Sequence, residues 1–191
     1  PDLKEQINED IEFVSNKTDV ATLTRSIVNQ KTFIFNMSIR ANLSLIDSNK
    51  KRQIDACKRV GIHDFIMSLP DGYSTILKED ATNISGGQKQ RLSIARTIAR
   101  NPEIYIFDDS FSALDYKTDS TLRRELREYT KDATVMIVAQ RIGTILNADK
   151  IVVLDNGKCV GVGTHNELMK KCKVYKEIAL SQVSKEELEN V

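Results

Sequence analysis

The sequence predicts an α/β fold, a mostly parallel sheet with a helical region inserted into it. Three observations predict it. Ile104 to Phe107 and Thr134 to Ala139 are short apolar runs followed by polar residues, as in strands buried in a parallel sheet. An amphipathic helical stretch, Asp115 to Tyr129, separates them, so strand, helix and strand form one right-handed βαβ unit. Residues 31 to 98, by contrast, show helical spacing and no strong strand.

In chain order, Asp10 to Val14 has the pattern of a short strand and Asn16-Lys17-Thr18-Asp19 that of a turn. Ser26 to Gln30 reads as a strand ending in a polar residue. After Phe33-Ile34-Phe35, Met37 to Leu45 predicts a short helix or turn. Asn49 to Val60 is a helix, and His63 to Leu69 is another, stopped by Pro70-Asp71-Gly72. Residues 74 to 82 form a loop that leads to Ser85. Ser85 and Gln88 then have the spacing of a capping box, and Leu92, Ala95, Ile98 and Ala99 share one helical face. Lys89, Arg91, Arg96 and Arg100 occupy the polar side, and Asn101-Pro102 closes the helix. Beyond the βαβ unit, Ile151 to Leu154 and Cys159 to Val162 flank Asp155-Asn156-Gly157, a hairpin turn. The tail from Asn166 is helical and charged.

Composition narrows the function classes. The 191 residues suit one large domain, or one domain with a subdomain. Lys plus Arg is 28 and Asp plus Glu is 27, so a net charge of +1 gives no reason to invoke nucleic acid. Cys57, Cys159 and Cys172 are too widely spaced for a metal cluster and suggest reduced thiols in a cytosolic setting. The longest apolar runs are about five residues, against roughly 20 needed to span a bilayer. The expectation is a chain that is not membrane-embedded but can dock on something that is.

Two stretches carry chemistry. Gly86 and Gly87 leave the first N–H groups of the Ser85 helix uncovered, and the helix dipole adds to them an attraction for phosphate. An ordinary capped helix with two glycines in its first turn is the other reading of these residues. In open α/β sheets chemistry collects at the carboxyl ends of strands, where Gln30, Asp108-Asp109 and Gln140 stand. An acidic residue there holds Mg²⁺ through water beside a nucleotide phosphate. Asp108 taken alone also fits a turn or cap.

Together these stretches resemble the nucleotide-binding domain of ABC transporters, a P-loop NTPase fold. Ile84-Ser85-Gly86-Gly87-Gln88, continued by Lys89-Gln90-Arg91, is similar to that family's signature motif. Ile104 to Asp108 resembles the Walker B strand, and Ser112-Ala113-Leu114-Asp115 the D-loop. Gln30 stands at the Q-loop glutamine and Gln140 at the switch histidine. Order and spacing match over residues 22 to 178. The segment from Phe33 to Asn42, the loop from Thr75 to Ala81 and the stretch from Gly163 to Leu168 resemble the exporter type.

The resemblance implies four parts: an ATP-binding core to residue 30, a helical subdomain over 31–98, core again over 99–165, and C-terminal helices over 166–191. It implies Mg²⁺ with ATP as substrate, with Gln30 and Asp108 on the metal and Asp109 and Gln140 as catalytic positions. Ser85, Gly86, Gly87 and Gln88 would touch ATP held by a second nucleotide-binding domain, with Ser112 to Asp115 at that interface. The helical subdomain would face a transmembrane domain, placing the chain on the cytoplasmic side of a cell membrane.

Three departures qualify the resemblance. No G-x-x-x-x-G-K-[ST] phosphate loop (the Walker A motif) occurs, so nothing here cradles the β- and γ-phosphates. This reads as a truncated domain, or else as a chain that lacks the loop and cannot hydrolyse ATP; either way the chain alone is expected to be inactive. Asp109 stands where the family has Glu, pulling the carboxylate back by on the order of 1 Å, a misplacement that can cost about 10²-fold. Gln140 replaces histidine and offers only an uncharged hydrogen bond. The last two together resemble the degenerate half of a heterodimeric multidrug exporter.

The remaining candidates have plainer readings. His63 is a surface or cap residue, His165 is structural after Gly163, Tyr105 is strand packing, and Lys185 to Glu189 is a solvated helix end. Two other functions stay in view, a soluble ABC ATPase of DNA repair or translation and a non-enzymatic regulatory fragment. Balanced charge and the Phe33 to Asn42 segment argue against the first.

Overall fold

A computed structural model describes residues 24–189. The strand expected over 10–14 and the turn over 16–19 lie outside the described residues. The chain divides into two compact units, one running to Val138 and the other starting at Ala139.

The first unit is built on a three-stranded parallel sheet in the order β1-β2-β3: β1 Arg25–Val28, β2 Ile104–Asp108 and β3 Thr134–Val138. Ile27, Ile106 and Met136 stand in register, as do Val28, Phe107 and Ile137. β1 ends at Val28, two residues short of the expected Gln30. Between β1 and β2 lie α1 (Ile39–Ser44), α2 (Lys50–Arg59), α3 (His63–Ser68) and α4 (Gly86–Ala99). Polar side chains start three of them: Ser38 accepts from the Ala41 N–H, Asn49 from Lys51 and Arg52, and Ser85 from Gln88. α2 stops at Gly61, whose φ of +66° suits the left-handed cap that follows a helix. The expected loop over 74–82 follows a 3₁₀ turn at Gly72–Ser74 and carries a second at Glu79–Ala81 and a bridge between Ser38 and Ile76. Helix α5 (Tyr116–Tyr129) links β2 to β3.

The core of this unit packs α4 against the sheet and the other helices. Leu92, Ala95, Ile98 and Ala99, the expected buried face, are at most 1% exposed, joined by Ile94, Tyr105 and Phe107. One expectation needs correction. β3 is not a buried strand: Val135, Met136 and Val138 are 38%, 56% and 51% exposed. Residues alternate between faces, and the face carrying Ile27, Met136 and Val138 is left largely open by the described residues. An apolar run shows that both faces are greasy, not that both are covered.

The second unit holds a short helix α6 (Ile142–Ile145) and an antiparallel hairpin of β4 (Ile151–Asp155) and β5 (Lys158–Gly163). Asn156 and Gly157 turn it with φ of 48° and 75°, the positive pair that a two-residue hairpin turn requires. Thr164 and Glu167 form a capping box that starts α7 (His165–Lys171) at His165, one residue earlier than expected, and α8 (Lys173–Glu189) follows. Ile151, Val153, Leu168, Cys172 and Tyr175 make its small core. Among the described residues no helix is long and apolar enough to cross a membrane, and all three cysteines are free thiols.

Candidate functional site

The start of α4 is a complete local device. Ser85 Oγ accepts from the Gln88 N–H at 3.2 Å, and Gln88 Oε1 accepts from the Ser85 N–H at 2.8 Å. The Lys89 N–H bonds back to the Ser85 carbonyl at 2.9 Å. That leaves the N–H groups of Gly86 and Gly87 at the positive end of a 14-residue helix, the arrangement that receives an anion. The two glycines differ. A Cβ on Gly86 would meet nothing within 4 Å, whereas one on Gly87 would sit 3.6 Å from the Ala113 carbonyl and from Leu114. Gly86 is therefore the open approach, and Gly87 is the contact with the loop after β2.

Neighbouring residues fasten this helix start. The Lys89 ammonium donates to the Asp80 carbonyl, and Arg91 Nη1 donates to the Gly61 carbonyl at 2.8 Å. Asp80 and Ala81 both have positive φ, 52° and 48°, in the loop that Lys89 grips. Buried Gln90 accepts from the Thr32 hydroxyl at 2.5 Å, tying α4 to the segment after Gln30. Asn42, fully buried, accepts from the Phe35 N–H and donates to the carbonyls of Phe35 and Ser38, fixing the chain between Gln30 and α1. Sequence reading missed these clamps. The only signals were an asparagine inside a helical stretch and a glutamine on an otherwise apolar face.

The carboxyl end of β2 is assembled from distant segments. Gln30 Nε2 donates to Asp109 Oδ2 at 3.0 Å, so these two predicted site residues do meet. The Asp109 N–H bonds to the Val138 carbonyl at 2.9 Å, and the Ser110 hydroxyl donates to the Val28 carbonyl at 2.7 Å. β1, β2 and β3 thus converge on this turn. Asp109 has a φ of 44°, a left-handed conformation that aspartate tolerates better than most side chains. Asp108 is exposed at the strand end beside it. Ser112 donates its hydroxyl to the Asp109 carbonyl at 2.9 Å, Ala113 is exposed and Leu114 is buried. Asp115 caps α5 by accepting from the Thr118 N–H at 2.9 Å; its bonds to Thr118, hydroxyl first and N–H second, hold its carboxyl below the usual range.

Gln140 belongs to the second unit, where its carbonyl accepts from Gln182 Nε2 at 2.7 Å and Gln182 Oε1 accepts from the Ile142 N–H. His63 and His165 each place Nδ1 2.9 Å from a tyrosine hydroxyl, Tyr73 and Tyr175 respectively, which are structural bonds. Tyr105 is 1% exposed in β2, where it packs.

Asp108, at the end of β2, supplies a carboxylate, and Gln30, two residues past the end of neighbouring β1, an amide oxygen. That suits an ion that keeps several waters and takes substrate phosphates as its other ligands. Among the described residues no group of three or more His, Cys, Asp or Glu forms a metal cluster of the all-protein kind.

Comparison with known proteins adds a family. The profile described as ABC transporter matches residues 3–112. The chain is 45% identical over 154 residues to the "Uncharacterized ABC transporter ATP-binding protein YknU" of Bacillus subtilis, covering 80% of this chain and 26% of that protein. It is 41% identical over 161 residues to an ATP-dependent lipid A-core flippase of Saccharophagus degradans, covering 83% of this chain and 28% of that one. Among solved structures it matches a bacterial Atm1-family ABC exporter with ATP bound, with a TM-score of 0.81 and 35% identity, over 84% of this chain and 29% of the other. The chain spans little more than a quarter of these relatives' length.

Proposed function

Since the chain belongs to the ABC transporter family, as a nucleotide-binding domain of the exporter type with the ABC ATPase fold, we propose that it couples ATP binding and hydrolysis, in a domain dimer, to transport across a membrane. Ser85, Gly86, Gly87 and Gln88 complete an ATP site whose remaining groups lie on a second nucleotide-binding domain. The observation that carries this is the pair of uncovered N–H groups on Gly86 and Gly87 above an intact capping box. Such donors need no rearrangement to meet a phosphate, and donors fixed in advance are what stabilise developing charge.

Asp108 and Gln30 would hold Mg²⁺, which would neutralise charge on the phosphate oxygens. Asp109 orients the attacking water, and the Gln30 amide fixes its carboxylate. Gln140 offers a neutral hydrogen bond to the γ-phosphate in place of a charged one. These two changes make the chain's own site the weak member of an unequal pair, and its partner a different domain. A transmembrane part binds the helical region, and the chain works at the cytoplasmic face.

The trans role is tested in the whole transporter. Gly86→Asp sets a carboxylate in open space where the phosphate should dock, and turnover at the partner's site should fall on the order of 10²-fold or more. Normal turnover there would end the proposal. The weakness of the chain's own site is tested by Asp109→Glu with Gln140→His in a domain carrying a phosphate loop. Single-site hydrolysis should rise about 10²-fold, and an unchanged rate would show the site is not limited by these residues.

A further inference from the structure

Tyr175, Ala179 and Gln182 recur at i, i+4 and i+7, so they share one side of α8. Tyr175 and Ala179 are 2% and 3% exposed, and partly buried Gln182 continues their stripe with a polar head. That head is spent on two backbone groups. Nε2 donates to the Gln140 carbonyl at 2.7 Å, and Oε1 accepts from the Ile142 N–H at 2.7 Å. The two groups flank Arg141, whose φ of −97° and ψ of 124° are extended. The carbonyl before an extended residue and the N–H after it point to the same side, where a residue of a neighbouring parallel strand would pair with both. The Gln182 amide takes that place. It also supplies what α6 lacks: Arg141, at the N-cap position, makes no side-chain cap bond, and the first N–H of the helix is met from α8 instead. Both bonds lie wholly within the second unit.

We propose that Gln182 is a positioning residue for Gln140, so that α8 sets how well the chain's own site holds the γ-phosphate of ATP. The inference rests on the role proposed above for Gln140 and adds the group that aims it. Gln140 is exposed and stands two residues beyond the end of β3, so the strand ladder does not hold it. Its carbonyl and the N–H two residues on are gripped by one rigid amide, which stops the intervening peptide from turning and keeps the Gln140 Cα aimed in one direction. Aim matters most for an uncharged donor, because its bond to phosphate is the weaker kind and has less to lose before it fails. The choice of side chain is specific. Two such bonds need a donor and an acceptor on one planar head, which glutamine carries and an ionised glutamate or a leucine does not.

The test uses the full-length transporter. Photolabelling by 8-azido-ATP is competed with unlabelled ATP or ADP and read by mass spectrometry on this domain's own peptides. In Gln182→Leu, ATP should compete about fivefold less well, the worth of one neutral hydrogen bond. ADP, which has no γ-phosphate, should compete as before. Gln140→Ala should weaken ATP to the same degree, and adding Gln182→Leu to it should weaken ATP no further. Gln182→Glu keeps the shape: ionised, its head only accepts, but protonated it donates to the Gln140 carbonyl and still accepts from the Ile142 N–H. Relative to the parent at each pH, its preference for ATP over ADP should be low at about pH 8 and recover toward about pH 5. Equal losses for ATP and ADP, additive losses in the double variant, or a Gln182→Glu indifferent to pH would each make Gln182 a structural cap and overturn the inference. So would the lack of saturable competition on this domain. If Gln140→Ala loses preference for ATP and Gln182→Leu does not, only the positioning role falls. If Gln140→Ala loses none, the role of Gln140 falls and takes this one with it.

Discussion

The start of α4 and the end of β2 both point toward phosphate chemistry, yet they are built in opposite ways. The first is local. Ser85 and Gln88 satisfy each other's backbone three residues apart, and the free donors of Gly86 and Gly87 follow from that bond pair alone. The second is made at long range. Asp109 is fixed by Gln30, 79 residues away, and Ser110 reaches 82 residues to Val28. On the roles proposed above, a group that serves another domain's ligand can be self-contained, whereas a group that must position water to within an ångström needs the whole sheet to hold it.

This contrast can be broken or sharpened by substitution. Phe107→Ala, at a residue 1% exposed that stacks with Tyr105, should cost about 3–5 kcal/mol in urea unfolding. It should loosen the Asp109 turn while leaving the Ser85 cap intact, as judged by amide protection at Gln88. Equal loss of protection at both places would make the α4 start no more local than the other. Ser110→Ala removes the hydroxyl from the Val28 carbonyl in a buried setting and should cost about 1–3 kcal/mol. Ser85→Ala should cost only about 1 kcal/mol, the usual worth of an N-cap, and Ser85→Asp should recover most of it. A larger loss in Ser85→Ala than in Ser110→Ala would reverse the comparison.

The smallest effect is expected from Asp115. Its folded carboxyl lies below the ordinary 3.8, so it stabilises the fold above that value, and the contribution fades as pH falls through the lowered one. Asp115→Asn keeps an oxygen for the cap but cannot titrate. Its stability should decline less between pH 5 and pH 2 than that of the parent chain, and parallel curves would remove Asp115 from the account.

The same contrast explains what could be read from the residues. The Ser85 cap, the Asn156-Gly157 turn and the apolar strand ending in Asp108 are rules of short span, and all were legible. The parallel βαβ unit was legible because strand, helix and strand are consecutive. The exposure of β3 was not, since Val135 to Val138 has the same composition whether or not an element lies across it. Neither were the Gln30–Asp109 bond, the Asn42 anchor and the Lys89 grip on Asp80, because each depends on how separate segments come together. Gln140 was found by its place after a strand, and that says nothing of the Gln182 amide which holds its backbone.

The two histidine–tyrosine bonds have a practical consequence. The chain has only two histidines, one in each compact unit, and the Nδ1 of each is anchored to a tyrosine ten residues further on. Histidine-selective isotope labelling would therefore give a spectrum with one imidazole signal per unit. Followed through a melt, those two signals would tell whether the halves of the chain come apart in one event or two, with no engineered label.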